Sequence, residues 1–228
     1  RLPTTMMRED VGTIETTVRG RCQIAHSFRG KLEIPLHGIT YVVDATFAAR
    51  GDELAIPLTD ADALLSSVLG RYDRTNLDCN AEFADENTTC ERVARAVWEG
   101  LVASALPHEW AATLAHLLVR VRESDEAFVE YGRAVGAASG PPEAAAGEYA
   151  VAVRARCMVG RALDFPPGGS GRTCEGATLV VDAVFCGSAL DPEAGFLFDI
   201  CLGERLLRQV VEPLHQRHLR DLSYPQLH

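Results

Sequence analysis

Between residues 14 and 24 the chain alternates. Ile14, Thr16, Val18, Gly20, Cys22 and Ile24 fall on one face, and Arg19, Arg21 and Gln23 on the other. A two-residue period predicts an antiparallel strand with one face buried. Residues 40–48, β-branched and aromatic and closed by Gly51-Asp52, predict a second strand. Helical spacing then takes over. Thr59 suits an N-cap ahead of Leu64, Leu65, Val68, Leu69 and Tyr72. Thr88-x-x-Glu91 reads as a capping box, opening a helix with the apolar stripe Val93, Ala94, Val97, Trp98, Leu101 and Val102. Pro107 ends it. Residues 114–122 alternate again, and 127–133 can pair back across Ser124-Asp125-Glu126. The predicted order is strand-strand-helix-helix-strand-strand.

Part of this pattern occurs twice. Val18-Arg19-Gly20-Arg21-Cys22 and Tyr41-Val42-Val43-Asp44-Ala45-Thr46-Phe47 return as Val153-Arg154-Ala155-Arg156-Cys157 and Leu179-Val180-Val181-Asp182-Ala183-Val184-Phe185. Such a duplication means that one supersecondary unit was copied. The chain divides accordingly into a first unit over 1–133, an Ala/Gly/Pro linker over 134–147, and a second, degenerate and incomplete unit over 148–228. The second copy offers two strands and one amphipathic helix, near 199–214, and no closing strand pair follows Tyr224-Pro225. Either the protein continues past residue 228 or another subunit completes the sheet. The first is favoured, because half a sheet leaves an open edge.

Composition narrows the partners. The 228 residues are 47% hydrophobic and 24% charged, an ordinary globular balance. A net charge of −10 without a basic block argues against nucleic acid and acidic membrane surfaces. No apolar run approaches the roughly 20 residues of a membrane span, and no signal segment is recognisable. Seven cysteines, an odd number without a C-x-x-C pair, read as reduced thiols in a cytoplasmic protein, with Cys22 and Cys157 as buried strand residues.

Five segments carry a resemblance to a known family. They are Cys22-Gln23-Ile24-Ala25-His26, Leu36-His37-Gly38-Ile39-Thr40-Tyr41, Tyr72-Asp73-Arg74-Thr75-Asn76-Leu77, Thr88-Thr89-Cys90-Glu91 with Trp98-Glu99, and Val119-Arg120-Val121-Arg122-Glu123-Ser124-Asp125. In this order they resemble the 6-pyruvoyl-tetrahydropterin and 6-carboxytetrahydropterin synthase family over nearly all of residues 14–133. The second copy matches only through its hairpin and first helix. The resemblance implies an α+β tunnelling fold: an antiparallel sheet with two helices on one face, in tandem units. It also implies ring-forming subunits with ligand sites between them. A closed homo-oligomer with a hexameric arrangement of units is the expected assembly.

The same resemblance places a catalytic zinc on His26, on His37 and on the residue two beyond His37. That residue is Ile39, which cannot ligate, and two histidines hold zinc weakly. No metal or other cofactor is therefore expected, His26 and His37 being the residual ligand positions. In the second copy the three places are Arg161, Glu175 and Ala177, where an ion pair would replace the metal. The family's base, a Cys, belongs in the loop 27–36, which has none; Cys174 lies in the equivalent loop but directly before Glu175. The Asp-His pair becomes Asp73-Arg74, and His215-Gln216 in the second copy. Arginine stays protonated near neutral pH and is no base. Asp73, His26 and His37 remain the catalytic candidates, with His215 and His218 explained equally well as a solvated helix end.

The binding residues look better preserved. A carboxylate ending a strand can accept two hydrogen bonds from a guanidine-like ring edge, and Glu123 holds that place. Thr88 and Thr89 open the helix whose free N–H groups suit a polar ring. The expectation is a diverged, zinc-free member that binds a pterin-like or purine-like heterocycle at a subunit interface and no longer runs the ancestral reaction. If it is an enzyme, it is a lyase or cyclase of altered chemistry. The alternatives are a non-catalytic pterin-binding or scaffolding module, or an active synthase.

Overall fold

The computed structural model describes residues 14–29, 33–49, 56–84, 86–135, 147–164 and 172–218, which fall into two compact units. The larger takes in the chain up to Val151 together with Val184–Phe198; the smaller comprises Ala152–Ala183 and the residues from Asp199 onward. The segment Val184–Phe198 thus lies within the expected second unit of 148–228 in sequence but packs in the larger unit. Most of the linker over 134–147 lies outside the described residues.

In the larger unit, β1 (Glu15–Phe28), β2 (Ile34–Ala49), β4 (Leu114–Arg122) and β5 (Ala127–Ala134) form an antiparallel sheet. The two-residue β3 (Thr75–Asn76) runs parallel to β1, giving the order β3-β1-β2-β4-β5. Helix α1 (Leu58–Gly70) packs on β1, and α2 (Cys90–Ala105) on β4 and β5. The expected α+β unit is present, with longer strands: β1 continues past Ile24 to Phe28, and β2 begins at Ile34.

Alternation decides which face is covered. Tyr41, Val43, Ala45 and Phe47 of β2 are fully buried, as are Leu117, Val119 and Val121 of β4. Each large apolar side chain so placed contributes about 1.5–3 kcal/mol. Gly20 lets α1 approach, since a Cβ there would meet Leu69 Cδ1 at 2.6 Å. The indole Nε1–H of Trp98 on α2 donates to Leu117 O at 2.9 Å, so the largest ring in the core keeps its polar atom satisfied.

The opposite face is polar. Asp44 accepts from Arg19 at 2.5 and 3.0 Å and from Arg122 at 3.3 Å, while Arg120 pairs with Glu130 on β5.

Two caps differ from expectation. Helix α1 starts after Pro57 without a side-chain cap, leaving Thr59 inside the first turn. Helix α2 is capped by Thr89, whose hydroxyl accepts from Arg92 N–H, and not by Thr88. Thr88 and Thr89 are both competent caps, and the backbone turns one residue later than the box predicts.

The smaller unit repeats the pattern on fewer elements. It holds most of β6 (Glu148–Asp164) and β7 (Arg172–Gly187), with α3 (Ile200–Val211) capped by Asp199. The two-residue β8 (Arg217–His218) runs parallel to β6, as β3 does to β1. Arg154 and Asp182 form a two-point ion pair at 2.6 and 2.8 Å, the counterpart of Arg19 and Asp44. Arg74 and Gln216 both adopt left-handed backbone, φ 58° and 59°. Each donates its N–H to the adjoining strand: Arg74 to Gln23 O at 2.6 Å, Gln216 to Met158 O at 2.7 Å. The two turns share a backbone form and a bond to the adjoining strand although their sequences barely match.

Candidate functional site

The C-terminal end of β1, the start of β2, the turn after β4 and the N-terminus of α2 converge in the larger unit. His26 and His37 face each other across the β1–β2 pair, ring centroids 4.6 Å apart. His26 is fully buried, with Nδ1 2.9 Å from Thr88 O. A carbonyl partner assigns the proton to Nδ1 and leaves Nε2 as an acceptor, and that nitrogen is buried without a hydrogen bond. His37 likewise sets Nδ1 3.0 Å from a carbonyl, that of Pro35. Burial pushes the His26 pKa down, against the opposing pull of the Thr88 bond.

The orphaned His26 nitrogen is suited to a metal. The rest of the donor set does not fit the family's three-ligand zinc, because the next residue on that face of β2 is Ile39. Among the described residues no group of three or more His, Cys, Asp or Glu could hold an ion. The expected Arg161–Glu175 pair of the second copy involves a side chain outside the described residues.

Asp73 is tied to the backbone. One carboxylate oxygen accepts from Gln23 N–H at 2.8 Å, and the other lies 3.7 Å from Arg74. In the smaller unit Met158 N–H donates to His215 Nδ1 at 3.3 Å, so the Asp73 and His215 positions close the same turn. The Asp78 carboxylate accepts three bonds, from Ser27 N–H at 3.2 Å, Ser27 Oγ at 2.7 Å and Thr88 Oγ1 at 3.4 Å. That clasp fixes the α2 start against the end of β1.

Glu123 is half-buried at the end of β4, and its N–H donates to Ala127 O at 3.2 Å. Its carboxylate lies near the Cys90 thiol. The Tyr41 hydroxyl, fully buried, sits next to the same thiol without completing a hydrogen bond. Burial pushes the Cys90 thiol well up, and the nearby Glu123 charge adds to that; burial raises Tyr41 as well. Cys22, on β1, is pushed up to about 11, again by burial first. None of these thiols or phenols is a base or thiolate nucleophile near neutral pH. The set offers a carboxylate acceptor backed by neutral donors.

Glu91 departs most from its predicted role. It does not close a capping box with Thr88. Its Oε1 accepts from Leu197 N–H at 2.9 Å, and the Thr89 hydroxyl donates to Gly195 O at 2.8 Å. Glu91 is 2% exposed, and burial pushes its carboxyl up to about 7, with Glu123 adding to the rise and the Leu197 bond opposing it.

The structure thus gathers His26, His37, Thr88, Thr89 and Glu123 and leaves Asp73 in a turn. Sequence reasoning passed over Tyr41, Cys90 and the segment Asp191–Leu197. Tyr41 and Cys90 lie inside quoted motifs, and the Asp191-Pro192 and Gly195 turn residues signal the third.

The model of the 6-pyruvoyl tetrahydropterin synthase family matches residues 15–134, more than half of the chain. No curated protein matches. Among solved structures, a catalytic-residue mutant of Plasmodium vivax 6-pyruvoyltetrahydropterin synthase is 15% identical, with a TM-score of 0.47, covering 54% of this chain and 99% of that one. The Plasmodium falciparum synthase is 13% identical over the same shares, with a TM-score of 0.45. The Caenorhabditis elegans synthase is 18% identical with a TM-score of 0.42, covering 57% of this chain and all of that one.

Proposed function

The chain belongs to the 6-pyruvoyl tetrahydropterin synthase family, and from that membership we propose that it binds a pterin-like or purine-like ring through Glu123, Thr88 and Thr89, without zinc and without the ancestral reaction. The observation that carries the reading is Glu123 itself. Its carboxylate stands half-exposed above the buried Cys90 and Tyr41 side chains, and a two-point contact from an amidine edge fits an acceptor so placed.

The loss of the ancestral chemistry follows from four positions. Ile39 cannot ligate, Arg74 cannot take a proton, Asp73 is engaged with Gln23 N–H, and the thiol at Cys90 is held neutral. If the ring is turned over, the protein acts as a lyase or cyclase of altered chemistry. The engagement of Asp73 in a backbone turn favours a second reading, a non-catalytic pterin-binding or scaffolding module. A cytoplasmic closed homo-oligomer goes with either reading. No helix among the described residues is long and apolar enough to cross a membrane.

The test is a titration of the purified full chain with neopterin, biopterin and a 7-deazaguanine, run beside elemental analysis and a turnover assay with dihydroneopterin triphosphate. The expected result is binding of at least one ring, well under one zinc per chain, and no conversion. Near-stoichiometric zinc lost on His37→Ala, or conversion exceeding that of an Asp73→Ala, His26→Ala double variant, overturns the zinc-free reading. Failure of every ring to bind overturns the ring site.

A further inference from the structure

Helix α3 is exposed where its counterpart in the larger unit is covered. Arg74 and Gln216 hold the same place in two turns of one backbone form, so counting back from them aligns α1 with α3. Leu65 and Leu69 then match Leu207 and Val211, and all four are buried. Leu64 matches Leu206, and Val68 matches Val210. Val68 is 1% exposed, whereas Val210 is 68% exposed and Leu206 44%. The two helices agree on the face turned to their strands and differ on the flank.

The larger unit shows what covers that flank. Helix α2 crosses α1 there, close enough that a Cβ on Gly100 would meet Val68 Cγ1 at 3.0 Å. Among the described residues the smaller unit has α3 as its one α-helix. Its strand β7 has the same gap in cover. Leu179 and Val181 are half-buried, while their counterparts Tyr41 and Val43 are fully buried.

The bare flank is ordered. Leu202, Leu206 and Val210 lie one turn apart and form a single ridge along the helix. Arg205 and Glu212, both exposed and two turns apart, fall on the same side of that ridge. Among the described residues no other α-helix exposes two large apolar side chains; Leu58 opens α1, and Leu106 follows α2. A ridge of this kind is a contact surface, and the matching surface on this chain is α3 itself.

We propose that α3 is a self-association surface, packing antiparallel against α3 of a second copy of this chain about a two-fold axis. A two-fold sets the same rim of each helix side by side with direction reversed. Leu206 then meets Val210 of the second copy, and Arg205 faces Glu212 of the second copy, each contact occurring twice. Opposite charges thus flank an apolar centre at both ends. A parallel pair would set Arg205 against Arg205 and Glu212 against Glu212. The inference is independent of the ring-binding reading and uses no residue of that site.

Sedimentation of the purified full chain, with light scattering for mass, tests this. The wild type should have the mass of an even number of chains, and Val210→Glu half that mass. Val210 is exposed, so the variant should keep the wild-type circular dichroism and melting temperature; Leu206→Lys replaces it should it fail to fold. Arg205→Glu opposes two carboxylates and should weaken association about tenfold or more, and adding Glu212→Arg should restore it. A mass unchanged in both Val210→Glu and Leu206→Lys, or a charge-swapped pair no better than Arg205→Glu alone, overturns the two-fold contact. So does a wild type that stays monomeric at every concentration. Hydrogen exchange over 200–212 that slows only when another protein is present also overturns it, and gives the face to a different polypeptide.

Discussion

Glu91→Gln separates two effects that burial places on one side chain. At 2% exposure the carboxyl is pushed up to about 7 from an ordinary 4.5, and burial is the main cause. An acid raised in the folded state holds its proton more tightly there than in the unfolded chain. Its contribution to stability is therefore most favourable below pH 4.5, declines as pH rises to about 7, and is flat above. The shift corresponds to about 3 kcal/mol in full. Glutamine keeps an oxygen for Leu197 N–H and cannot ionise. His26 works in the opposite sense, because its lowered pKa withdraws stability as pH falls below 6.5, but it is present in both proteins and cancels in the difference. Urea unfolding of the two proteins from pH 5 to pH 8 should show Glu91→Gln gaining on the wild type by roughly 2–3 kcal/mol across that range, with unchanged m-values. A difference that stays flat with pH, or a glutamine variant less stable at pH 8, refutes the argument that Glu91 is buried at a cost for the sake of its bond to Leu197.

Two further outcomes follow from the packing. Asp73→Ala removes the acceptor for Gln23 N–H and should cost about 1–2 kcal/mol in denaturant unfolding while leaving ring affinity unchanged; a loss of affinity at unchanged stability would return Asp73 to the site. Gly20→Ala drives a methyl group against Leu69 and should cost about 1–3 kcal/mol, whereas an unchanged melting temperature would mean that α1 is free to move off β1.

The strands were legible wherever one face is buried, because alternation survives there: Val18, Cys22 and Ile24 on β1, and Leu117, Val119 and Val121 on β4. They were read short at one end. Past Ile24 the hairpin carries His26, Ser27, Arg29 and Pro35, and its register shifts between His26 and Phe28, so no apolar period marks it. The cap of α2 was misplaced by one residue because two threonines adjoin. The Glu91–Leu197 bond could not be read at all. A carboxylate three residues after a threonine at a helix start has the local signature of a capping box, and its actual partner is a backbone N–H carrying no side-chain signal, 106 residues away. Glu123 was legible only through the motif around it, since a strand-end glutamate is otherwise unremarkable.

Titration calorimetry of wild type and Glu123→Gln with neopterin reaches the central claim most directly. A carboxylate that accepts a two-point contact makes charge-assisted bonds worth about 1.5–3 kcal/mol each. Replacing it should weaken binding at least tenfold, which equals about 1.4 kcal/mol. A ring lacking the 2-amino group should bind the wild type poorly for the same reason. The account predicts that loss with Glu123→Gln as stable as the wild type. Equal affinity of the two proteins for neopterin would contradict it and leave Glu123 as a turn residue.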